Sequence, residues 1–207
     1  MVTGGTSPKD ASEARRDLAG TVRRLAVATV ASDLGDDALS GAAAAVRSAV
    51  RRLRAADGAE PRRRDVPDPS GPLQALFPRS PVAGLENPVA PPVRLWREGG
   101  GLAGEAWFDH TYEGPPTCVH GGVIAMVAEH MLGVAVLLAG HPSTTGTFRV
   151  RYRRPTPLRE LVQLSARCTG AEGGVVRAVA AVRHDGAVTA EATGVFPADG
   201  PGPAGPA

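Results

Sequence analysis

The stretch "EGPPTCVHGGVIAMVAEHMLG", residues 113–133, decides how this chain reads. From the glycine pair Gly121–Gly122 the chain stays apolar for about five helical turns, interrupted only by Glu129 and His130. An ionised carboxylate buried without a partner costs several kcal/mol, so Glu129 is paired, protonated or placed at a wet cleft. A salt bridge to a neighbouring arginine, or exposure at a break in the cover, meets the same requirement without any function. The glycines shift that balance. At a helix start they let a ligand or another backbone approach closely, and the free N–H groups there favour developing negative charge, as an acyl-transfer oxyanion hole requires. A tight strand-to-helix turn is the structural alternative.

Gly121 and Glu129 lie eight residues apart, about 12 Å along a helix at ~1.5 Å per residue. One substrate carbonyl therefore cannot meet both groups from the same copy. Two copies running antiparallel would set the glycine of one helix beside the glutamate of the other, and the active unit becomes a dimer with shared sites.

Outward from this helix the texture is that of an antiparallel sheet. "VRLWRE" (93–98) and "LAGEAWFD" (102–109) flank a glycine run and predict a hairpin. After the helix come "STTGTFRVRYRRP" (143–155), "LVQLSARCTG" (161–170), "VVRAVAAVRH" (175–184) and "AVTAEATGVF" (187–196), separated by "PTPLRE", "AEGG" and "DG" turns. The order β-β-α-β-β-β defines an α+β domain over 93–197, with a curved sheet wrapped round one apolar helix. Residues 1–58 carry two helical patterns: Leu18, Val22, Leu25 and Val30 in the first, and Leu39, Ala43, Val46, Val50 and Leu53 in the second. With the turn "SDLGDD" (32–37) between them they predict a helical hairpin. Residues 59–92, with "PRRRD" and many prolines, read as a linker or covering strap, and 198–207 as a flexible Gly/Pro tail.

The totals exclude several classes. Lys and Arg number 23 against 21 Asp and Glu, a balance that argues against a general nucleic-acid binder. Cys118 and Cys168 lack metal-site or disulfide-framework spacing. His110, His120, His130 and His141 recur about every ten residues, which matches no helical ligand pair. Ser143 has no nucleophile-elbow setting, and Cys118 lacks an evident base. No secretory apolar segment follows the N-terminus, and the helix over 121–139 is broken by Glu129 and His130 rather than built as a membrane span. A cytoplasmic location is expected.

"YEGPPTCVHGGVIAMVAEHMLG", then "TGTFRVRYRRPTPL" and "AEATGVF", resemble the hotdog-fold acyl-CoA thioesterases, in particular their PaaI-like (phenylacetate-pathway) branch. The resemblance covers roughly 80–197 and leaves the N-terminal helices without an implied role. It implies thioester hydrolysis without metal or cofactor, coenzyme A being part of the substrate, by a homodimer or homotetramer. By the same resemblance the Gly121 amide polarises the thioester carbonyl, with Gly122 as a second contributor. Glu129 is general base on water or direct nucleophile. His120 shapes the loop, and Thr145 hydrogen-bonds substrate or attacking water from a strand that faces the partner's helix. Many members of the branch place Asp where this chain has Glu129; the extra methylene moves the carboxylate by about one bond, enough to alter rates.

Two further expectations concern the substrate. Arg149, Arg151 and Arg153 share one face of their strand and Phe148, Val150 and Tyr152 the other. The basic face, with Arg154 and Arg159 beside it, is either a site for coenzyme A phosphates or a solvated sheet surface. The acyl pocket is expected between two subunits' helices, lined by Val123, Met126 and Val127. A hydratase or dehydratase on acyl-CoA, and a non-catalytic acyl-CoA or small-ligand binding protein, are the competing functions.

Overall fold

The computed structural model describes residues 8–54 and 70–198. Six strands form a single antiparallel sheet in the order β1-β2-β4-β5-β6-β3. They are β1 (Val93–Glu98), β2 (Gly101–Trp107), β3 (Thr147–Tyr152), β4 (Leu161–Glu172), β5 (Val175–His184) and β6 (Ala187–Pro197). The α+β order read from the sequence is the one observed. The "DG" turn between β5 and β6 has Asp185 at φ 48° and Gly186 at 74°, and Gly99 and Gly100 between β1 and β2 have φ 54° and 74°. Two consecutive positive φ values give a turn whose twist matches that of the flanking strands.

An apolar 18-residue helix packs across one face of this sheet, and among the described residues three α-helices precede it. In chain order these are α1 (Pro8–Val30), α2 (Asp36–Arg54), α3 (Leu73–Leu76) and the long α4 (Gly121–Leu138). Ile124, Val127, Met131, Leu132 and Val136 of α4 are each at most 2% exposed and meet Val162, Val176, Val182 and Phe196 of the sheet. By length and apolarity alone α4 would suffice to cross a membrane. Here it is the core helix, and one face, which includes Glu129, stays partly open. Close approach is built in at Gly194 of β6, where a Cβ would lie 2.7 Å from the Phe196 ring and 3.2 Å from Leu132 of α4.

Residues 70–92 are a docked strap. Leu73, Leu76, Val82 and Ala83 enter the core, and a tight turn is possible only because Gly84 has no side chain: a Cβ there would lie 2.5 Å from Ser80 backbone atoms. The α1 helix holds the strap from outside. Arg23 donates to the carbonyls of Ala90 (2.8 Å) and Asn87 (3.0 Å), and Ser12 to Glu86 (2.9 Å). The second predicted helix forms as α2 but buries no residue, so its apolar stripe is left partly exposed. The run "PRRRD" and nearly all of the Gly/Pro tail lie outside the described residues.

Candidate active site

The approach to α4 is fixed residue by residue. His120 donates its backbone N–H to Tyr112 O (2.8 Å), Val119 to Thr156 O (2.9 Å) and Gly114 to Cys118 O (2.9 Å). The Glu113 carboxylate accepts from the Thr117 backbone N–H at 2.8 Å, and that bond, with one from His110, holds its pKa below the usual carboxylate range. Gly114 lets the loop close on itself, since a Cβ there would lie 2.7 Å from His120 Cα. Sequence reading passed over Gly114; the signal was only its nearness to the motif.

His120 is the N-cap of α4, and its Nδ1 accepts the Gly122 N–H at 2.9 Å. Nδ1 must be unprotonated to do this, so a neutral His120 carries its proton on Nε2. The Val123 N–H is bonded to His120 O at 2.9 Å. Gly122, expected as a second donor to a carbonyl oxygen, is therefore already committed to His120. The Gly121 N–H has no partner among the described residues, and its own carbonyl accepts from the Tyr152 hydroxyl at 2.7 Å. A free N–H at the positive end of an 18-residue helix is suited to developing negative charge.

Glu129 lies two turns further along, half-buried, and Thr145 donates its hydroxyl to Glu129 Oε1. Thr145 was expected on a strand facing another subunit's helix. It lies instead in the coil between α4 and β3 and meets Glu129 of its own copy, because that coil is tied to the end of β6 by Ser143 Oγ to Pro197 O (2.6 Å) and Gly146 N–H to Val195 O (3.0 Å). With Oε1 engaged, Oε2 is the oxygen left to meet a water or a substrate. A carboxylate in an apolar helix is thus tolerated by partial exposure and one hydroxyl partner.

His130 and Phe77 were not anticipated here. The two rings meet edge-on with centroids 5.6 Å apart, and both border the cavity that Glu129 and Thr145 border. Burial pushes the His130 pKa down, partly opposed by the negative charge of Glu129. Val127 is fully buried, and Val123 and Met126 pack against the core without bordering that cavity.

The arginines stand apart from these groups. Phe148 and Val150 of β3 pack on the core, so Arg149, Arg151 and Arg153 project from the sheet face away from α4. Arg153 is paired with Glu191 (Nη2 to Oε2, 2.8 Å), whereas Arg151 and Arg154 are exposed. Within one copy, neither Arg151 nor Arg153 converges on Glu129. Among the described residues the one group with metal-ligand potential is Glu160, His184 and Asp185, which includes none of His110, His120, His130 and His141; there His184 Nε2 is already 2.5 Å from Glu160 Oε2.

Comparison with known proteins fits this geometry. Residues 117–191 match the family model described as thioesterase superfamily. A crystal structure of a thioesterase superfamily protein is 31% identical, with TM-score 0.78, over 88% of this chain and 94% of that one. That match is too long to be confined to the sheet domain. A phenylacetic acid degradation-related putative thioesterase from Ralstonia eutropha JMP134 is 19% identical over 51% of this chain and 83% of its own, with TM-score 0.47. A hypothetical thioesterase from Streptococcus pneumoniae TIGR4, solved with coenzyme A, is 14% identical over 52% and 89%, with TM-score 0.48. One long helix in a six-stranded antiparallel sheet, matched nearly end to end by a relative at 31% identity, places the chain in the thioesterase superfamily, with the hotdog fold.

Proposed function

We propose that the protein hydrolyses an acyl-CoA thioester to the free acid and coenzyme A, as a cytoplasmic homodimer or an assembly of such dimers. One observation carries the reading: α4 presents a single uncommitted N–H at Gly121 and, eight residues on, a carboxylate with one oxygen held by Thr145. These are the two groups that acyl transfer to water needs, an oxyanion donor and a base or nucleophile. Their separation along one helix, about 12 Å, supports a site in which each acts in a different half of an antiparallel pair of subunits. The free edge of β3 supports such a pairing, since among the described residues β3 bonds only to β6.

In the base mechanism Glu129 Oε2 takes a proton from water as the water oxygen bonds to the thioester carbon. The carbonyl electron pair moves to oxygen and is met by the Gly121 N–H of the partner subunit. Collapse re-forms the carbonyl, breaks the C–S bond, and returns the proton from Glu129 to the thiolate. In the nucleophilic variant the same carboxylate attacks the carbon and expels the thiolate; water then cleaves the resulting anhydride. Single turnover in 18O-labelled water tests the nucleophilic variant: water that opens the anhydride at the Glu129 carboxyl carbon leaves label in Glu129, which the base route never does, whereas label in the product acid alone is common to both routes. Arg151 and Arg154 are the exposed candidates for the phosphates of coenzyme A, and His120 keeps the loop in place through its cap.

The test is thiol release from a panel of acyl-CoAs by wild type, Glu129→Gln and Glu129→Asp. Turnover abolished in Gln and partly kept in Asp supports the proposal. No thiol release from any substrate, with acyl-CoA binding equal in all three, replaces it with the non-catalytic binding protein.

A further inference from the structure

A cavity of about 580 Å³ opens beside the Glu129 carboxylate, on the side toward the C-terminal end of α4. Glu129 and Thr145, the polar groups of the candidate active site, line it together with His130, Ser143 and Thr144; the rest of its wall is Phe77, Gly133, Val134, Leu137 and Pro142. A chamber of this volume, mostly apolar with a few convergent polar groups, is of the kind that receives a small-molecule ligand. Gly133 lies one turn beyond Glu129 on the same face, and a Cβ there would meet nothing within 4 Å, so the floor is open at that point. Glu129 to Leu137 spans eight residues, about 12 Å along the axis.

We infer that the acyl group of the substrate lies along α4 from Glu129 toward Leu137, and that Phe77 of the strap and Gly133 together set its size, selecting an elongated, medium-chain apolar acyl group. The inference rests on the hydrolysis proposed above and supplies its substrate class. It also moves the acyl group from the expected Val123–Met126 region to the opposite side of Glu129. Phe77 is held there by its own short helix, whose Leu73 and Leu76 are buried, and by the His130 ring against which it packs. Burial lowers the His130 pKa and so favours the neutral ring beside an apolar chain. The N-terminal extension gains a role through the same contacts: Arg23 of α1 fixes the strap at Asn87 and Ala90, and the strap carries Phe77 to the chamber.

The experiment compares kcat/KM for acetyl-, butyryl-, octanoyl-, lauroyl- and palmitoyl-CoA in wild type, Gly133→Leu and Phe77→Ala. Octanoyl-CoA exceeds acetyl-CoA in wild type. Gly133→Leu fills the floor and lowers the octanoyl-to-butyryl ratio at least tenfold, whereas Phe77→Ala opens the wall and raises the lauroyl-to-octanoyl ratio severalfold. Should Phe77→Ala fail to fold, Phe77→Leu is read the same way. Ratios unchanged in both folded variants, or shifted in the same direction, overturn the assignment. If wild type releases no thiol from any substrate, the hydrolysis reading fails by itself, and calorimetric binding of the same acyl-CoAs decides the chamber. Binding that strengthens up to octanoyl and is lost in Gly133→Leu upholds it; binding indifferent to chain length refutes it.

Discussion

Gly121→Ala and Gly121→Pro differ in one respect that matters here. Both place a Cβ at a point 3.3 Å from Tyr152 Cζ and 3.4 Å from its hydroxyl oxygen, so both ask the ring to yield by a few tenths of an ångström. Only proline removes the N–H. The position tolerates it structurally: Gly121 is the first residue of α4, where the N–H has no intrahelical partner, and His120 has φ −60° and ψ 131°, the extended conformation a residue before proline adopts. Loosening the 2.7 Å Tyr152–Gly121 bond costs about 1 kcal/mol, which the better helix propensity of alanine partly offsets. Each variant is thus expected to melt within a few degrees of wild type. Catalysis separates them. Loss of one oxyanion donor costs about 100- to 1,000-fold in kcat, so Gly121→Pro should fall below Gly121→Ala by that factor. The assay is steady-state thiol release on the preferred acyl-CoA, with thermal melting as the control. Equal kcat in the two folded variants refutes the donor role of Gly121.

Thr145→Val removes the hydroxyl that Glu129 Oε1 accepts and should lower kcat roughly 10- to 100-fold while costing about 1.5–3 kcal/mol of stability, as fits a bond to a charged group; Thr145→Ser should restore most of both. Gly114→Ala drives a methyl to 2.7 Å from His120 Cα and should cost about 1–3 kcal/mol in a denaturant titration while also displacing the helix start and reducing kcat. For His130, burial holds the folded pKa below the ordinary histidine value of about 6.5. Above 6.5 the ring is neutral folded and unfolded; as pH falls through 6.5 the unfolded chain takes up a proton the native state resists, so stability declines. The wild-type melting temperature should drop more steeply between pH 7.5 and 5 than that of His130→Gln, and equal slopes would remove His130 from this linkage.

Strand periodicity and turn residues made the sheet legible: "VRLWRE" is β1 residue for residue, and the "DG" dipeptide marks the β5–β6 turn. The helix that carries Glu129 was equally plain from its long apolar run, interrupted only by Glu129 and His130. Other features are written in three dimensions only. Phe77 sits in a proline-rich stretch with no period to betray it, and its place at the cavity depends on Gly84 and on Arg23, the latter 54 positions before it. His130 follows Glu129 by one residue and points about 100° away on an ideal helix, so spacing alone does not place the two at one site. A cavity wide enough to span that angle brings both to one wall. Nor could spacing reveal that the Gly122 N–H is spent on His120, since an N-cap bond depends on side-chain rotamer as much as on sequence.

Once the Gly122 and Val123 N–H groups are accounted for, each copy of α4 is left with one donor at its first turn and one free carboxylate oxygen two turns on. If the groups work across two subunits, damage to them is complementary rather than additive. Gly121→Pro removes the donor of its own chain and leaves Glu129 sound; Glu129→Gln does the reverse. In a dimer with shared sites, a mixed pair then holds one site with both lesions and one with neither. Random pairing of equal amounts makes half the dimers mixed, so about a quarter of wild-type site activity returns from two nearly inactive proteins. Co-expression with distinct affinity tags, followed by purification on both tags, isolates the mixed dimer and raises the expected recovery to about half. A site assembled within one chain predicts no recovery at any mixing ratio. Absence of activity in a verified mixed dimer would therefore end the shared-site mechanism, even with Glu129 and Gly121 each shown to be essential.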